Sequence, residues 1–226
     1  SRGLGDVYKR QREERDDERY FVGYLDEIRI TSGVARYSKS IERFANTFVA
    51  KGDTGDAFTA LQIQSNGAKN GAMFSDSLNR TGFNTSAVTV TGSPVWRNTV
   101  GDGFGGANTA LYFDGKSAIE IPTTGGQFDV KAGEDFTIEC WYKTNGRDDQ
   151  YQGLVSIVDT GDNNNAFGLS LGTSTYEYIF GIIHTNFMEG GQSSGKKVFD
   201  RCWHHEAYVR SAAVSYTHLT LPTNRE

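Results

Sequence analysis

Three carboxylates within one short stretch, Glu134, Asp135 and Glu139, are the first candidates for chemistry in this sequence. A retaining glycosidase needs two carboxyl groups about 5 Å apart, one acting as nucleophile and the other as general acid. On an extended strand Asp135 and Glu139 share a face, whereas the neighbouring residues Asp26 and Glu27 point to opposite faces. Solvated positions on strands are the more ordinary role for these carboxylates, and we predict that they form no catalytic pair.

The two adjacent histidines, His204 and His205, are poorly spaced for a shared site. Neighbouring residues of a strand face opposite sides, which prevents both imidazoles from binding one metal in regular geometry. We interpret them as a packing pair.

Cys140 and Cys202 each precede a tryptophan, and two cysteines are too few for a disulfide framework or a four-ligand zinc site. We interpret both as small core or surface residues, unless their strands are neighbours, which would allow a single bridge.

The segment DTGDNNN (159–165) is rich in the oxygen atoms that calcium prefers as ligands. Asp159 and Asp162 are its candidate metal ligands. A hairpin turn is the alternative, because Asn, Asp and Gly are also the residues that turns require. The segment is therefore either a calcium loop or an ordinary turn.

Aromatic residues supply the candidates for sugar binding, which generally needs an exposed aromatic platform flanked by amide and carboxylate groups. The ligand-binding candidates are Trp141, on the polar face of its predicted strand, and Tyr151, Tyr176 and Tyr178, near predicted loops. Packing in the core or on the sheet surface is the alternative for each of them.

Short strands must position all of these residues. Segment 20–31 alternates with the period of two that predicts a strand. From residue 57 onward, short alternating runs are separated by turn signals, a spacing typical of an antiparallel sandwich. The run 136–142 is predicted to be half-buried. Its apolar face carries Phe136, Ile138, Cys140 and Tyr142, and its other face carries Thr137, Glu139 and Trp141.

The same alternation predicts which side chains are buried. The predicted core consists of Phe136, Ile138, Cys140, Tyr142, Leu169, Leu171, Trp203, Ala207 and Val209. Glu139, Lys143 and Arg210 are predicted to be more exposed.

The two ends of the sequence, 1–11 and 214–226, resemble translated sequencing-library adapter. SRGLGDVYKRQ matches the translation of one strand of a transposase-type adapter DNA. VSYTHLTLPT begins like the translation, in another reading frame, of the reverse complement of that adapter's mosaic end. We expect 1 to about 18 and 214–226 to pack poorly, because neither segment carries a selected apolar face.

Charge and hydropathy argue against two classes of partner. The formal net charge is −5, and it becomes more negative when the two ends are left out. Phosphate-backbone binding depends on clustered Lys and Arg, and the chain has no basic stripe. No apolar run approaches the roughly 20 residues that span a bilayer. We predict a soluble protein that binds no nucleic acid and does not insert into membranes.

Four segments together resemble the laminin G-like modules of the concanavalin A-like lectin/glucanase superfamily. FGGANTALYFDGKSAIEIP resembles the opening strands, FDVKAGEDFTIECWYKT the central strand, and WHHEAYVR the Trp-His-His strand of that family. GYLDEIRITSGVARYSKSI resembles the closing strand and its exit. The resemblance covers nearly all of 20–210. It implies an all-β, antiparallel β-sandwich of the concanavalin A-like jelly-roll type, here incomplete.

The closing strand precedes the opening strands, an order that predicts tandem modules. The predicted organisation is 1–11 adapter artefact, 12–50 the C-terminal end of a preceding laminin G-like module, 51–56 linker, 57–213 a truncated laminin G-like module, and 214–226 adapter artefact. A sheet without its closing strand would expose unpaired backbone groups. We therefore predict that 20–31 fills this vacant position. It would pair with strands near 60–64 or 110–121, with Ile28 and Ile30 facing inward.

The resemblance implies a non-catalytic carbohydrate-binding or adhesion module of a repeat-containing phage virion protein, in a tail or appendage, or of a secreted bacterial surface protein. Its partner would be a polysaccharide or cell-surface glycan, and its location the virion, the extracellular space or the cell surface. The family's catalytic Glu-x-Asp-x-x-Glu pattern is missing. The alternatives are a purely structural virion spacer that binds no glycan and, less favoured, a remote glycoside hydrolase.

Many members of the superfamily carry one calcium ion, which makes calcium the one cofactor that the resemblance implies. Asp26 and Asp114 lie at motif positions and join Asp159 and Asp162 as candidate metal ligands. A strand-end hydrogen bond is the alternative role for Asp26. We also expect the pairing of 20–31 to bring Asp26 to the same sheet as Asp114.

Overall fold

The computed structural model describes residues 21–37, 57–63, 89–91, 95–98, 109–121, 128, 134–145, 152–157, 166–171, 179–184, 188–193, 199–211 and 214–219. Within these ranges the regular elements are all β-strands, every strand pair is antiparallel, and no helix occurs. The predicted all-β, antiparallel class is confirmed.

The described strands follow one another along the chain as short elements. They are β1 (Val22–Ser32), β2 (Thr59–Ile63), β3 (Thr89–Thr91), β4 (Val95–Asn98), β5 (Thr109–Asp114), β6 (Ala118–Glu120), β7 (Phe136–Thr144), β8 (Gln152–Ile157), β9 (Ala166–Leu171), β10 (Ile179–His184), β11 (Met188–Ser193), β12 (Trp203–Ser211) and β13 (Val214–Leu219).

These strands pair into three sheets. The largest has the order β13-β12-β7-β1-β5-β4, and β2 also pairs with β1. A second sheet has the order β11-β10-β9-β8, and β3 pairs with β6. Most of the candidate residues within the described ranges lie on β1, β7 and β12, which are neighbours in the largest sheet.

Strand β1 joins that sheet, as predicted for 20–31, and lies in its middle, between β7 and β5. One edge pairs with β7 along almost its whole length, from Gly23 opposite Thr144 to Ser32 opposite Phe136. The other edge pairs first with β5 and then with β2. Ile28 and Ile30 are both buried in the core. The predicted pairing with strands near 60–64 and 110–121 is confirmed.

A β-bulge interrupts β1 where its partner changes from β5 to β2. Between Asp26 and Arg29 the strand advances three residues while β7 advances two, from Trp141 to Glu139. Glu27, inside the bulge, has a φ of 47°. This left-handed conformation is the one that the first residue of some bulges adopts, usually as glycine. A glutamate there stores backbone strain of order 1 kcal/mol.

The two larger sheets contribute to one hydrophobic core. Residues of β1, β2, β5, β7 and β12 pack in the same cluster as Leu169 and Leu171 of β9. A second, smaller cluster lies on the opposite face of the largest sheet and contains Ala110, Trp141 and Trp203, with Tyr24 against it. Both faces of the largest sheet are therefore buried around β7.

All nine residues predicted for the core are buried, but they do not share one face. Trp203, Ala207 and Val209 lie opposite Lys143, Glu139 and Thr137 of β7, on the face away from Phe136. Lys143 is half-buried, in line with its predicted greater exposure. The predicted exposure of Glu139 and Arg210 is wrong, since they are 0 % and 3 % exposed.

The end segment 214–226 is partly described. Residues 214–219 form β13, which pairs with β12 from Glu206 opposite Leu219 to Ser211 opposite Val214. A strand here is compatible with the expectation of poor packing, because VSYTHL has high β-propensity, and that expectation stays a prediction. The expectation for 1–18 and 220–226 lies outside the described residues.

The two cysteines are free. Cys140 lies opposite Glu206, while Cys202 lies four residues before Glu206, just ahead of β12. Four extended residues span about 13 Å, whereas bridged Cα atoms are at most about 7 Å apart. The strands are neighbours, but this register separates the two thiols.

Candidate functional site

The carboxylate of Glu139 is the centre of a buried polar cluster on β7. Its Oε1 accepts hydrogen bonds from Arg29 Nε at 2.6 Å and Nη2 at 2.5 Å. Its Oε2 accepts from the Tyr37 hydroxyl at 2.5 Å and from His205 Nε2 at 3.2 Å. A carboxylate has about four lone-pair positions. All four are filled, and the group is 0 % exposed.

Opposing effects fix the protonation of this cluster. Burial alone would raise the pKa of Glu139, but the His205 hydrogen bond and the Arg29 charge hold it below its usual value. Burial lowers the pKa of His205 despite the nearby carboxylate, and burial raises that of Tyr37. At neutral pH the cluster is an ion pair of Arg29 and Glu139 with a neutral imidazole and phenol as further donors.

The segment that follows β1 covers this cluster. Thr137 Oγ1 accepts from the backbone N–H of Arg36 at 3.0 Å and donates to the carbonyl of Val34 at 3.3 Å. The Arg36 guanidinium donates to Thr31 Oγ1 at 2.7 Å and to Thr59 Oγ1 at 2.9 Å. Residues 34–37 therefore lie against the face of β7 that the alternation pattern left open to solvent, which explains the burial of Glu139.

The structure gives Asp135 and Glu139, the candidate catalytic pair, different surroundings. Glu139 is fully occupied and Asp135 is half-buried at the start of β7. The contacts of Glu139 are those of a buried ion pair.

The two histidines lie on opposite faces of β12, as predicted. His204 lies opposite Tyr142 and stacks on it, with ring centroids 5.4 Å apart. Its Nε2 is 2.7 Å from Asp200 Oδ1. His205 lies opposite Trp141, with ring centroids 5.3 Å apart. Each histidine packs on an aromatic ring and bonds to a different carboxylate. Neither carboxylate partner was predicted from the sequence.

The candidate metal ligands do not meet at one point. Asp26 and Asp114 belong to the same sheet, but Asp114 lies opposite Val22, four residues or about 13 Å from Asp26 along β1. One calcium ion needs its oxygen ligands at about 2.3–2.6 Å. Within the described residues no group of three or more His, Cys, Asp or Glu side chains is arranged to hold a metal. Asp159 and Asp162 lie outside the described residues.

Asp26 and Asp114 instead accept local hydrogen bonds. Asp26 Oδ1 accepts from the backbone N–H of Glu27 at 2.7 Å, within the bulge. Asp114 Oδ1 accepts from Lys116 N at 2.9 Å and Ser117 Oγ at 2.6 Å, in the turn after β5. These hydrogen bonds lower the pKa of Asp114. The alternative predicted for Asp26 was a strand-end hydrogen bond, whereas the hydrogen bond that it accepts lies at the bulge inside β1.

Of the four candidates for sugar binding, one is described. Trp141 is 0 % exposed and packs with Trp203 and Ala110. Its predicted position on an exposed polar face is wrong, because that face is covered. A buried indole offers no platform to a sugar in solution. Tyr151, Tyr176 and Tyr178 lie outside the described residues.

Two further buried carboxylic acids were not predicted. Glu206, opposite Cys140, is 0 % exposed, and neither of its oxygens has a hydrogen-bond partner among the described residues. Burial raises its pKa well above the usual value. Burial also raises the pKa of Glu27 to about 7, against the opposing charge of Arg29. The alternation pattern assigns these residues to faces but does not show whether a face is covered.

Comparisons with protein-family models, with curated proteins and with solved structures found no match to this chain. In the part of the chain that the structure describes, no helix is long and apolar enough to cross a membrane.

Proposed function

We propose that this protein is a non-catalytic carbohydrate-binding or adhesion module of a repeat-containing phage virion protein or secreted bacterial surface protein. Its two larger sheets would form a concanavalin A-like sandwich. The antiparallel strands, the core shared by Leu169 with residues of β7, and the four family-like segments support this proposal. The ligand would be a polysaccharide or cell-surface glycan, met on the virion or outside the cell.

One observation carries the non-catalytic part of the proposal. Glu139 is the carboxylate best placed to belong to a catalytic pair, and all of its hydrogen-bonding positions are occupied by Arg29, Tyr37 and His205. An acid or nucleophile must reach the substrate with at least one free oxygen. The same contacts are those of a buried structural ion pair.

A hydrolysis assay on mixed polysaccharides tests this point. We expect no turnover from the full chain. Turnover that Glu139→Gln abolishes, in a variant whose circular dichroism matches the parent, would show that the carboxylate is catalytic and would overturn the proposal. Turnover that Glu139→Gln leaves unchanged would place a catalytic site elsewhere in the chain and would equally contradict it.

A glycan array of marine and bacterial polysaccharides tests the binding part. We expect binding that falls at least about tenfold in a Tyr176→Ala, Tyr178→Ala double variant, because an aromatic platform supplies much of the affinity for a sugar. Phe58→Ala is the matched control, since Phe58 is 50 % exposed but is not a predicted ligand residue. The control should bind as the parent does.

The burial of Trp141 favours a second candidate, a structural spacer of a virion appendage that binds no glycan. Trp141 and Trp203, the tryptophans whose exposure the structure describes, are both buried, and Phe58 is the large exposed hydrophobic side chain among the side chains described. If the folded protein binds no glycan on the array, the result would support the structural spacer over the binding module.

A further inference from the structure

Strand β1 completes a sheet that is otherwise open in the middle. Eight of its residues pair with β7, four with β5 and four with β2. Without β1, these three strands would present unpaired backbone groups along their facing edges. We call this gap, bounded by β7 on one side and by β5 and β2 on the other, the β1 slot.

The chain between β1 and the rest of the sheet is much longer than the pairing requires. The backbone N–H of Ser32 donates to the carbonyl of Phe58 at 2.9 Å, so the two strands lie side by side. A hairpin connection needs two to five residues. Here 19 residues, 38–56, separate the described parts. A connection of this length lets β1 reach its own slot without strain, and it also lets the strand reach the slot of a second copy.

A buried charge pair specifies which strand fits the slot. Arg29 lies opposite Glu139 in the register and donates two hydrogen bonds to it. A shift of one residue would move Arg29 to the other face of the sheet and leave Glu139 buried without its cation. Arg36 adds a second restraint by binding Thr31 and Thr59, one on each of two strands.

We infer that the β1 slot is an acceptor site for residues 21–37 of a second copy of this chain, so that copies can exchange this strand. The slot recognises an extended strand with arginine opposite Glu139 and tyrosine eight residues later, the two groups that share the carboxylate. Exchange preserves every contact of the strand, because the same residues pair in the same register. This inference does not depend on glycan binding.

A charge-reversed full chain tests the inference. In the Arg29→Glu variant, the chain's own β1 would place a second carboxylate against Glu139. Because the two buried negative charges repel each other, this strand should not occupy the slot. A fluorescent peptide of residues 20–37 should bind this variant. It should bind the parent chain at least about 100-fold more weakly, because the tethered strand competes at millimolar effective concentration. Anisotropy measures binding, and circular dichroism reports the β-structure that the peptide restores.

Two variant peptides control for specificity. The peptide carrying Arg29→Glu should bind the variant chain at least about 30-fold more weakly than the parent peptide, as expected when one partner of a buried charge pair is lost. The peptide carrying Val22→Ala changes a half-buried side chain outside the charge cluster and should bind within about fivefold of the parent.

Mixing two full chains extends the test from a peptide to a second copy. A chain carrying Glu139→Arg cannot hold its own β1 in its slot, because Arg29 would face another arginine. It can donate that β1 to the slot of the Arg29→Glu chain, where Glu139 is retained. We expect light scattering to show a species of two chains in the mixture and not in either variant alone. The inference is overturned if the parent peptide neither binds nor restores β-structure, if all peptides bind alike, or if the mixture gives no two-chain species.

Discussion

Replacing Glu27 by glutamine should change how the stability of this protein depends on pH. Glu27 is 4 % exposed, and its Oε2 has no hydrogen-bond partner within the described residues. Burial raises its pKa from the ordinary value of 4.5 to about 7, although the Arg29 charge acts in the other direction. The folded state therefore holds the proton of Glu27 more tightly than the unfolded state does.

This difference gives the sign and size of the effect. The stability contributed by protonated Glu27 is fully present below pH 4.5 and is lost as the pH rises through the folded pKa of about 7. A tenfold difference in proton affinity corresponds to about 1.4 kcal/mol, so the total loss is about 3 kcal/mol. Between pH 5 and pH 8 about 2.5 kcal/mol of it should be observed.

Urea unfolding of the parent and of Glu27→Gln at several pH values measures this contribution. Glutamine does not titrate, so the parent should lose about 2.5 kcal/mol relative to the variant between pH 5 and pH 8. Glu120→Gln, on the exposed side of β6, is the matched control and should show no such change. A parent-to-variant difference that stays constant to within about 0.5 kcal/mol would refute the assignment of a buried, protonated Glu27.

Three further predictions concern the same sheet. Glu139→Gln should cost about 3–5 kcal/mol in urea unfolding, because it leaves a buried guanidinium without its anion; a cost below about 1 kcal/mol would mean that the cluster is solvated. Gly23→Ala should cost about 2–4 kcal/mol, since its Cβ would overlap the carbonyl oxygen of Lys143. Gly153→Ala, with open space at its Cβ, should be nearly neutral, and equal costs would contradict the packing argument. A thiol reagent should modify half-buried Cys202 quickly in the folded protein and leave Cys140 unmodified, because burial raises the pKa of Cys140.

The period-two pattern predicted strand identity and facing well, because both follow from local geometry. It placed Phe136 and Ile138 on one face of β7 and His204 and His205 on opposite faces of β12, and the register agrees. The unfilled closing position also predicted two of the partners of β1, the strands β2 and β5, since unpaired backbone groups in a sheet are costly. It did not predict the longer pairing with β7.

What the pattern did not predict is what covers each face. Glu139 and Trp141 were read as solvent-facing because their neighbours on that face include a threonine and a lysine. Residues 34–37 return over this face from more than 100 positions away, as the contact of Arg36 with Thr137 shows. The bulge at Glu27 was missed for another reason: no glycine marks it.

The central position of β1 sets the timing of assembly during synthesis. Arg29 is made 110 residues before Glu139, its partner in β7. At about 5–20 residues per second, a ribosome needs roughly 5–20 s to add them. Throughout that interval β1 has no β7 to pair with and would be a template for aggregation if it were uniformly apolar. Asp26, Glu27 and Arg29 interrupt its apolar run, so the charges that are buried in the finished sheet also protect the unfinished chain.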